Sequence, residues 1–459
     1  MTKLNTIDSG FLLTESPHSP KHVAGVMIFE FPKGKGMAWL RKLLDEMRQY
    51  QPGFPLNQRL TSPAGPLFEL EEDEHFELDY HVRHTVLPSP GNDRQFYDVL
   101  ARLHANLLDR DRPLWEFHLI EGIAGRRFAF YFKVHHALCD GITFGRWIDD
   151  ASSESPTDMG MKPIWARDDA PAEREDDGFD YVQMLKDGVE MLGGGVRTML
   201  GLSAITAKMI QRRFFEGEDS IALPLSAPRT SLNVHTGAAR TISFTSYPLE
   251  DLRAIGKAEG ASINDVVMTL CDMALSRYFD DHDDTPDGPL VAYMPVNIRT
   301  DEADGEGNLL TLLQVKLATE HDDPLEALAE VRESIDSARE VYAGAPSTAV
   351  QYYSLIVALL SQFEETLNLD KFLPPVNNLV ISNVPGSRVP RYYKGAKAVS
   401  MFPISTLPPM TALNVTACSY MGTMFFGLIG GRTAIPDLDL LTQYLDEAFA
   451  ELAEATGVA

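Results

Sequence analysis

Cysteine is scarce. Only Cys139, Cys271 and Cys418 occur in 459 residues, far apart and without a CxxC pair. That excludes a disulfide framework and a thiolate zinc site, and it fits a reducing compartment. No run of about 18 or more apolar residues is present, so a spanning helix is not expected. The N-terminus, Met1-Thr-Lys-Leu-Asn-Thr-Ile-Asp, lacks the basic start and apolar core of a secretory signal. The expected location is the cytoplasm. Cations are also few: 40 Lys and Arg against 66 Asp and Glu give a net charge of −26. Such a field repels phosphate backbones and gives a polybasic membrane anchor nothing to work with, so no nucleic-acid partner is expected.

Several catalytic signatures are missing. Gly201-Leu-Ser-Ala-Ile fails the last position of a GxSxG elbow, and no GxxxxGK[ST] loop occurs. Gly193-Gly-Gly runs into a helical pattern without the preceding strand of a dinucleotide site. Serine acylation, nucleotide hydrolysis and hydride transfer all lose support.

What is present is ordinary globular composition, 44% hydrophobic and 23% charged, in a chain long enough for two or three domains. Helical and extended patterns alternate throughout. Leu40, Leu43, Leu44 and Met47 recur at helical spacing, as do Phe96, Val99, Leu100, Leu103 and Leu107. Phe128-Ala-Phe-Tyr-Phe-Lys-Val-His has the alternation and aromatic content of a strand. The chain then turns polar from about 150 to 180, which reads as a solvated loop. A helical stretch from Tyr181 to Phe215 with Ile205, Met209 and Ile210 connects onward; its alternative is an amphipathic helix on a bilayer. Beyond Pro224 the alternation resumes, with helices over 249–257, 262–278, 324–342 and 350–366, a hairpin around Met421-Gly-Thr, and a last helix from about Asp437. The expected class is α+β, divided as 1–180, a connecting segment 181–223, and 224–459.

The candidate site is His135-His136-Ala-Leu-Cys-Asp140-Gly141, directly after the aromatic strand. Adjacent histidines on a strand point to opposite faces, so only one can sit on a given reacting atom. An imidazole with an ordinary pKa near 6.5 suits proton abstraction. Asp140 is placed to orient an imidazole or pair with a distant cation, and Gly141 permits a close backbone approach. Bland readings compete: a satisfied core histidine, a His-His-Asp metal site, or a nucleophilic Cys139. Adjacent histidines chelate poorly and HExxH is missing, while nothing in the sequence marks Cys139 as activated. No metal is expected.

HHxxxDG after an aromatic strand resembles the acyltransferase superfamily of chloramphenicol acetyltransferase and the condensation domains of nonribosomal peptide synthetases. More narrowly, the chain resembles the bacterial wax ester synthase/acyl-CoA:diacylglycerol acyltransferase family from end to end. The blocks are Asp8-Ser-Gly-Phe-Leu, His22-Val-Ala-Gly, Arg112-Pro-Leu-Trp-Glu116, Ser262-Ile-Asn-Asp, Met294-Pro-Val-Asn-Ile-Arg299, Gly307-Asn308 and Asn378-Leu-Val-Ile-Ser-Asn-Val-Pro-Gly386. One position departs: Asn297 stands where serine is usual. The resemblance implies two similar chloramphenicol-acetyltransferase-like domains around a central cleft or tunnel. Long-chain acyl-CoA is the implied donor, a fatty alcohol or diacylglycerol the acceptor, and no cofactor is needed.

Carried over by residue, His136 is the general base, His135 its support, and Asp140 a structural partner ion-paired with Arg299. Asn264 would lie near the reacting centre, where a donor to the carbonyl oxygen lowers the barrier. Arg112-Pro-Leu-Trp is assigned to packing. Coenzyme A phosphates need a local positive patch in so acidic a protein. The clearest cationic run free of acids is Arg388, Arg391, Lys394 and Lys397. Two rival functions stand beside ester formation: an amide-forming condensation, and a non-catalytic lipid-binding or lipid-droplet protein. A hydrophobic product also implies peripheral contact with the inner membrane face or lipid inclusions.

Overall fold

The computed structural model describes residues 2–4, 6–62, 68–168, 204–297, 310–318, 323–345 and 347–458. Its frame is set by strands buried on both faces. β2 (His22–Glu30) reads as one nearly continuous apolar run, and lies between β7 (Arg127–His135) and a strand from far along the chain, β13 (Ala396–Ile404). Such unbroken hydrophobicity is what a central strand requires.

The elements follow in order. The first half has β1 (Thr2–Lys3), α1 (Thr6–Thr14), β2, α2 (Met37–Met47), β3 (Gln58–Leu60), β4 (Glu69–Glu72), α3 (Leu78–His81) and β5 (Val82–Val86). Then come α4 (Asp93–Ala105), β6 (Trp115–Ile123), β7 and α5 (Gly141–Asp150). A helical stretch over 204–215 leads to β8 (Arg240–Pro248), α6 (Leu249–Glu259), α7 (Ile263–Asp281), β9 (Val291–Asn297) and β10 (Leu310–Lys316). The rest is α8 (Pro324–Tyr342), α9 (Ser347–Thr366), β11 (Leu379–Val384), β12 (Tyr392–Tyr393), β13, β14 (Leu413–Tyr420), β15 (Thr423–Gly431) and α10 (Leu438–Ala455).

Helix boundaries have local causes. α2 buries Leu40, Leu43, Leu44 and Met47 on one stripe. Asn92 and Gln95 form a capping box at α4, and Ser262 and Asp265 do the same at α7. α8 starts with Pro324 behind the Asp323 cap, and α6 stops at Gly260 in the left-handed region.

Two six-stranded mixed sheets result, ordered β12-β13-β2-β7-β6-β5 and β10-β9-β11-β14-β15-β8, beside a small sheet β1-β4-β3. The sheets cross the expected division at 224. β12 and β13 lie in the second half of the sequence but extend the first half's sheet, β13 pairing antiparallel with β2 at Met401↔Met27. Phe402 on β13 stacks on Phe244 of β8 at 4.2 Å, which ties the two sheets together. Such a pair adds about 1 kcal/mol beyond its burial. A Cβ at Gly427 of β15 would lie 1.7 Å from the Pro403 carbonyl oxygen, so only glycine admits this approach. The polar segment after 150 is likewise more than a solvated loop: Trp165 is fully buried, stacked near Trp115 and edge-on to Phe117. Of the connecting segment, 181–203 lies outside the described residues, while Ile205 and Met209 are buried as a crossing helix requires. Among the described residues no helix is long and apolar enough to cross a membrane.

Candidate active site

β2 and β7 pair with His22 opposite His135, and the ladder runs one step further. The His136 N–H donates to the Lys21 carbonyl at 2.8 Å. Lys21 and His136 are therefore cross-strand neighbours on one face, and His22 and His135 on the other. The second face is covered by α4: His22 Nε2 meets the His104 carbonyl at 2.7 Å, and His104 Nδ1 meets the Tyr131 hydroxyl at 3.1 Å. Buried Lys133 donates to the carbonyls of Leu103 and Asn106, the open end of α4, and pairs with Glu116 at 3.2 Å.

His135 is fully buried. Its Nδ1 accepts the Ala137 N–H at 3.1 Å, so a ring proton sits on Nε2. That nitrogen lies 3.4 Å from Glu15 Oε1. Glu15 is a candidate site residue that sequence reading did not single out. Its carboxylate also accepts from the Lys21 N–H at 3.1 Å and from Arg110 at 3.1 and 3.2 Å. Burial alone would raise its pKa, but His135, the Lys21 amide and Arg110 together hold it below the ordinary value. Glu15, in Asp8-Ser-Gly-Phe-Leu-Leu-Thr-Glu15-Ser-Pro, gave no spacing signal, since its partner His135 lies 120 positions away.

His136 keeps partial solvent access and stacks on Phe11 at 4.0 Å. Burial pushes its pKa down to about 4; a hydrogen bond to its own carbonyl and the Asp140 charge oppose this, while His135 and Lys21 reinforce it. The ring is consequently neutral at physiological pH, with a lone pair to offer. Lys21 is a second missed residue. It is buried, its ammonium donates to Ser19 Oγ at 2.7 Å, and desolvation brings its pKa down to about 8 against the pull of Glu365 and Glu15.

Asp140 does not fold back onto an imidazole. It is the N-cap of α5, accepting the Thr143 N–H at 2.7 Å. Arg299, Gly307 and Asn308 lie outside the described residues. Gly141 has no left-handed backbone, and a Cβ there would touch the Val384 side chain at an ordinary 3.4 Å. The motif thus faces the end of β11. One residue earlier on that strand, Asn383 Nδ2 donates to Asn264 Oδ1 at 2.9 Å. Ser262, not Asn264, caps α7, so Asn264 is free of capping and its amide NH₂ is left to donate elsewhere. Asn264 lines a small recess with Met294, Pro295, Ser382 and Asn383. Trp115 of the Arg112-Pro-Leu-Trp block is fully buried and donates to the Leu56 carbonyl, a packing role.

The cationic run is free of acids in sequence but not in space. Arg391 pairs with Asp149 at 3.0 Å and Glu154 at 3.7 Å, and Lys394 with Glu46 at 3.2 Å, all acids of the first half. Arg388 is exposed and Lys397 sits half-buried on β13 opposite Glu30. Distance in sequence hid these acids. Among the described residues no three His, Cys, Asp or Glu side chains are grouped to hold a metal ion, and all three cysteines are buried thiols.

Residues 4–267 match the wax ester synthase/diacylglycerol acyltransferase catalytic domain, and residues 306–453 match the WS/DGAT C-terminal domain. The O-acyltransferase WSD of Acinetobacter baylyi is 34% identical over 97% of this chain and 96% of its own. A Mycobacterium tuberculosis chain named for diacylglycerol O-acyltransferase activity is 35% identical over 99% and 100%. The solved wax ester synthase/diacylglycerol acyltransferase from Marinobacter aquaeolei VT8 superposes with a TM-score of 0.78 at 34% identity, covering 100% of both chains. The first condensation domain of the CDA synthetase shares the fold, with a TM-score of 0.56 at 16% identity over 99% of this chain and 96% of that one.

Proposed function

The chain belongs to the wax ester synthase/diacylglycerol acyltransferase family and is an acyl-CoA-dependent O-acyltransferase, and from that premise we propose that His136 is the general base of a direct transfer. The observation that carries this is a neutral, partly accessible imidazole held by Phe11 on one side and the Lys21 backbone on the other. As the hydroxyl oxygen of the acceptor attacks the thioester carbonyl, His136 takes its proton. The tetrahedral oxyanion accepts a hydrogen bond from the Asn264 amide, whose orientation Asn383 fixes. Collapse breaks the C–S bond, and the departing thiolate recovers the proton from the imidazolium. Glu15 holds His135, and His135 in turn holds the turn that carries His136, through the Ala137 N–H. No protein nucleophile takes part, so both substrates are bound together.

The donor is a long-chain acyl-CoA, and the acceptor a fatty alcohol, a diacylglycerol, or both. The enzyme works in the cytoplasm against a lipid surface, a membrane face or inclusion, which the exposed Phe214 and Phe215 at the end of the 204–215 helix support. The test is thiol release from palmitoyl-CoA with hexadecanol and with diacylglycerol. His136→Ala is expected to lose at least about a hundredfold with either acceptor, the low end for a general base. Full activity in that variant, or a fatty chain trapped on the polypeptide, overturns the mechanism; release with amines alone overturns ester formation.

A further inference from the structure

An apolar recess lies in the first half on the sheet face that carries His136, away from the recess at Asn264. The register continues from Lys21↔His136 through Val23↔Val134 and Gly25↔Phe132 to Met27↔Phe130. Every second residue shares a face, so His136, Phe132 and Phe130 form one row. At roughly 3.3 Å per residue, Phe132 stands about 13 Å from His136 along the strand and Phe130 about 20 Å. α5 leaves the HHxxxDG turn and lies over this row, closing the recess with Phe144 and Ile148 against Gly25, Met27, Phe130 and Phe132.

The recess is nearly full. The free space is about 40 Å³, room for a few water molecules at about 10–15 Å³ each and far less than a long hydrocarbon chain fills. Phe144 is what fills it. Its ring stacks on Phe132 at 5.8 Å, over the position where Gly25 has no side chain; a Cβ on Gly25 would lie 2.5 Å from Phe144 Cε1. The missing side chain at 25 is thus the seat of the Phe144 ring, between the His136 end of the row and its deep end.

We propose that this recess takes the distal part of one aliphatic substrate chain whose reacting end lies at His136, and that Phe144 is the stopper that sets how deep the chain runs. The lining is almost wholly apolar, as a hydrocarbon tail requires, with Ser152 and Tyr393 the only polar side chains among the described lining residues. The inference rests on His136 marking the reacting centre. The chain belongs either to the acyl-CoA or to the alcohol, and two series tell them apart: C8 to C18 acyl-CoA with hexadecanol, and C8 to C18 alcohols with palmitoyl-CoA.

In Phe144→Ala, the kcat/KM ratio of longest to shortest substrate should rise at least about tenfold in one series and stay flat in the other, the scale at which single methylenes are sorted by an apolar pocket. Phe144→Trp should move the same series the opposite way, and serves if the alanine variant does not fold. A flat ratio in both series, or equal shifts in both as general loosening would give, overturns the proposal. His136→Ala, assayed in parallel, keeps the two claims apart: its inactivity beside an unchanged Phe144→Ala profile removes the recess and leaves the base in place.

Discussion

The two halves bury polar groups of different kinds. The first half hides five histidines, His22, His81, His104, His118 and His135, with Lys21, Lys133, Glu116 and Glu121. In the second half no described histidine is buried, and its buried polar groups are mostly amides and hydroxyls: Asn377, Asn378, Asn414, Gln314 and several Ser and Thr. Asn378 shows their use, accepting the Val291 N–H at 2.8 Å while donating to Asn233 and the Pro228 carbonyl. The charged groups of the first half instead neutralise one another. Glu116 is buried yet held down to about 2 by His118, Lys133 and Arg83. Neutral amides fix geometry without titrating; interlocked charges fix geometry and also tune an acid–base group. In the proposed mechanism, the half that moves a proton carries the second kind, and the half that presents a donor carries the first.

The most damaging way to break this contrast is to remove the amide that the second half presents. Asn264→Ala should lower kcat by about a hundredfold or more with little change in either KM, as expected for a donor used only in the transition state. It also strands the Asn383 NH₂, so Asn264→Asp is the companion variant: it keeps an acceptor for Asn383 and loses the donor. Steady-state kinetics on both variants decides it. A near-wild-type kcat in Asn264→Asp would assign the residue to architecture.

Within the first half, Glu15→Gln keeps the shape and deletes the charge. A hydrogen bond to a charged group contributes about 1.5–3 kcal/mol, so kcat should fall roughly ten- to a hundredfold. Denaturant unfolding should show a smaller midpoint loss than in Glu15→Ala, which leaves Arg110 and His135 without their shared carboxylate. Unchanged kcat in Glu15→Gln would make His135 a core residue with no part in the reaction.

What could be read from the letters follows the same divide. Helices announced themselves through periodicity and caps, which is why α8 was expected over 324–342 and is observed there. β13 left no such trace, because which sheet a strand joins depends on partners hundreds of positions away; its mate is β2. The proposed base, His136, was legible, since HHxxxDG packs its signal into seven letters. Glu15 and Lys21 were not. Each is a lone charge whose meaning comes from what the ladder sets beside it. The acids around the cationic run were hidden for the same reason: Asp149, Glu154 and Glu46 are far from Arg391 and Lys394 in sequence and beside them in space.

The smallest expected effect is in the pH profile, and it isolates Lys21. With His136 brought down to about 4 by burial, the base is unprotonated above that pH, and the acidic limb of kcat/KM should lie near it. Lys21, cross-strand to His136, adds a positive charge that disfavours the imidazolium. In Lys21→Met that penalty disappears, the protonated ring becomes easier to form, and the acidic limb should move up by roughly one pH unit, the size of one charge at an effective dielectric of about 20. Glu15, Glu365 and Arg240 also act on Lys21 and remain in place, so they do not cancel the shift. Lys21 loses its proton near 8, so the wild type should weaken above that pH if the ammonium also steadies the charge building on the thioester oxygen. That basic limb should vanish in Lys21→Met and move to higher pH in Lys21→Arg. A Met variant with both limbs of the wild type would leave Lys21 as packing, and the tuning of His136 would rest on burial alone.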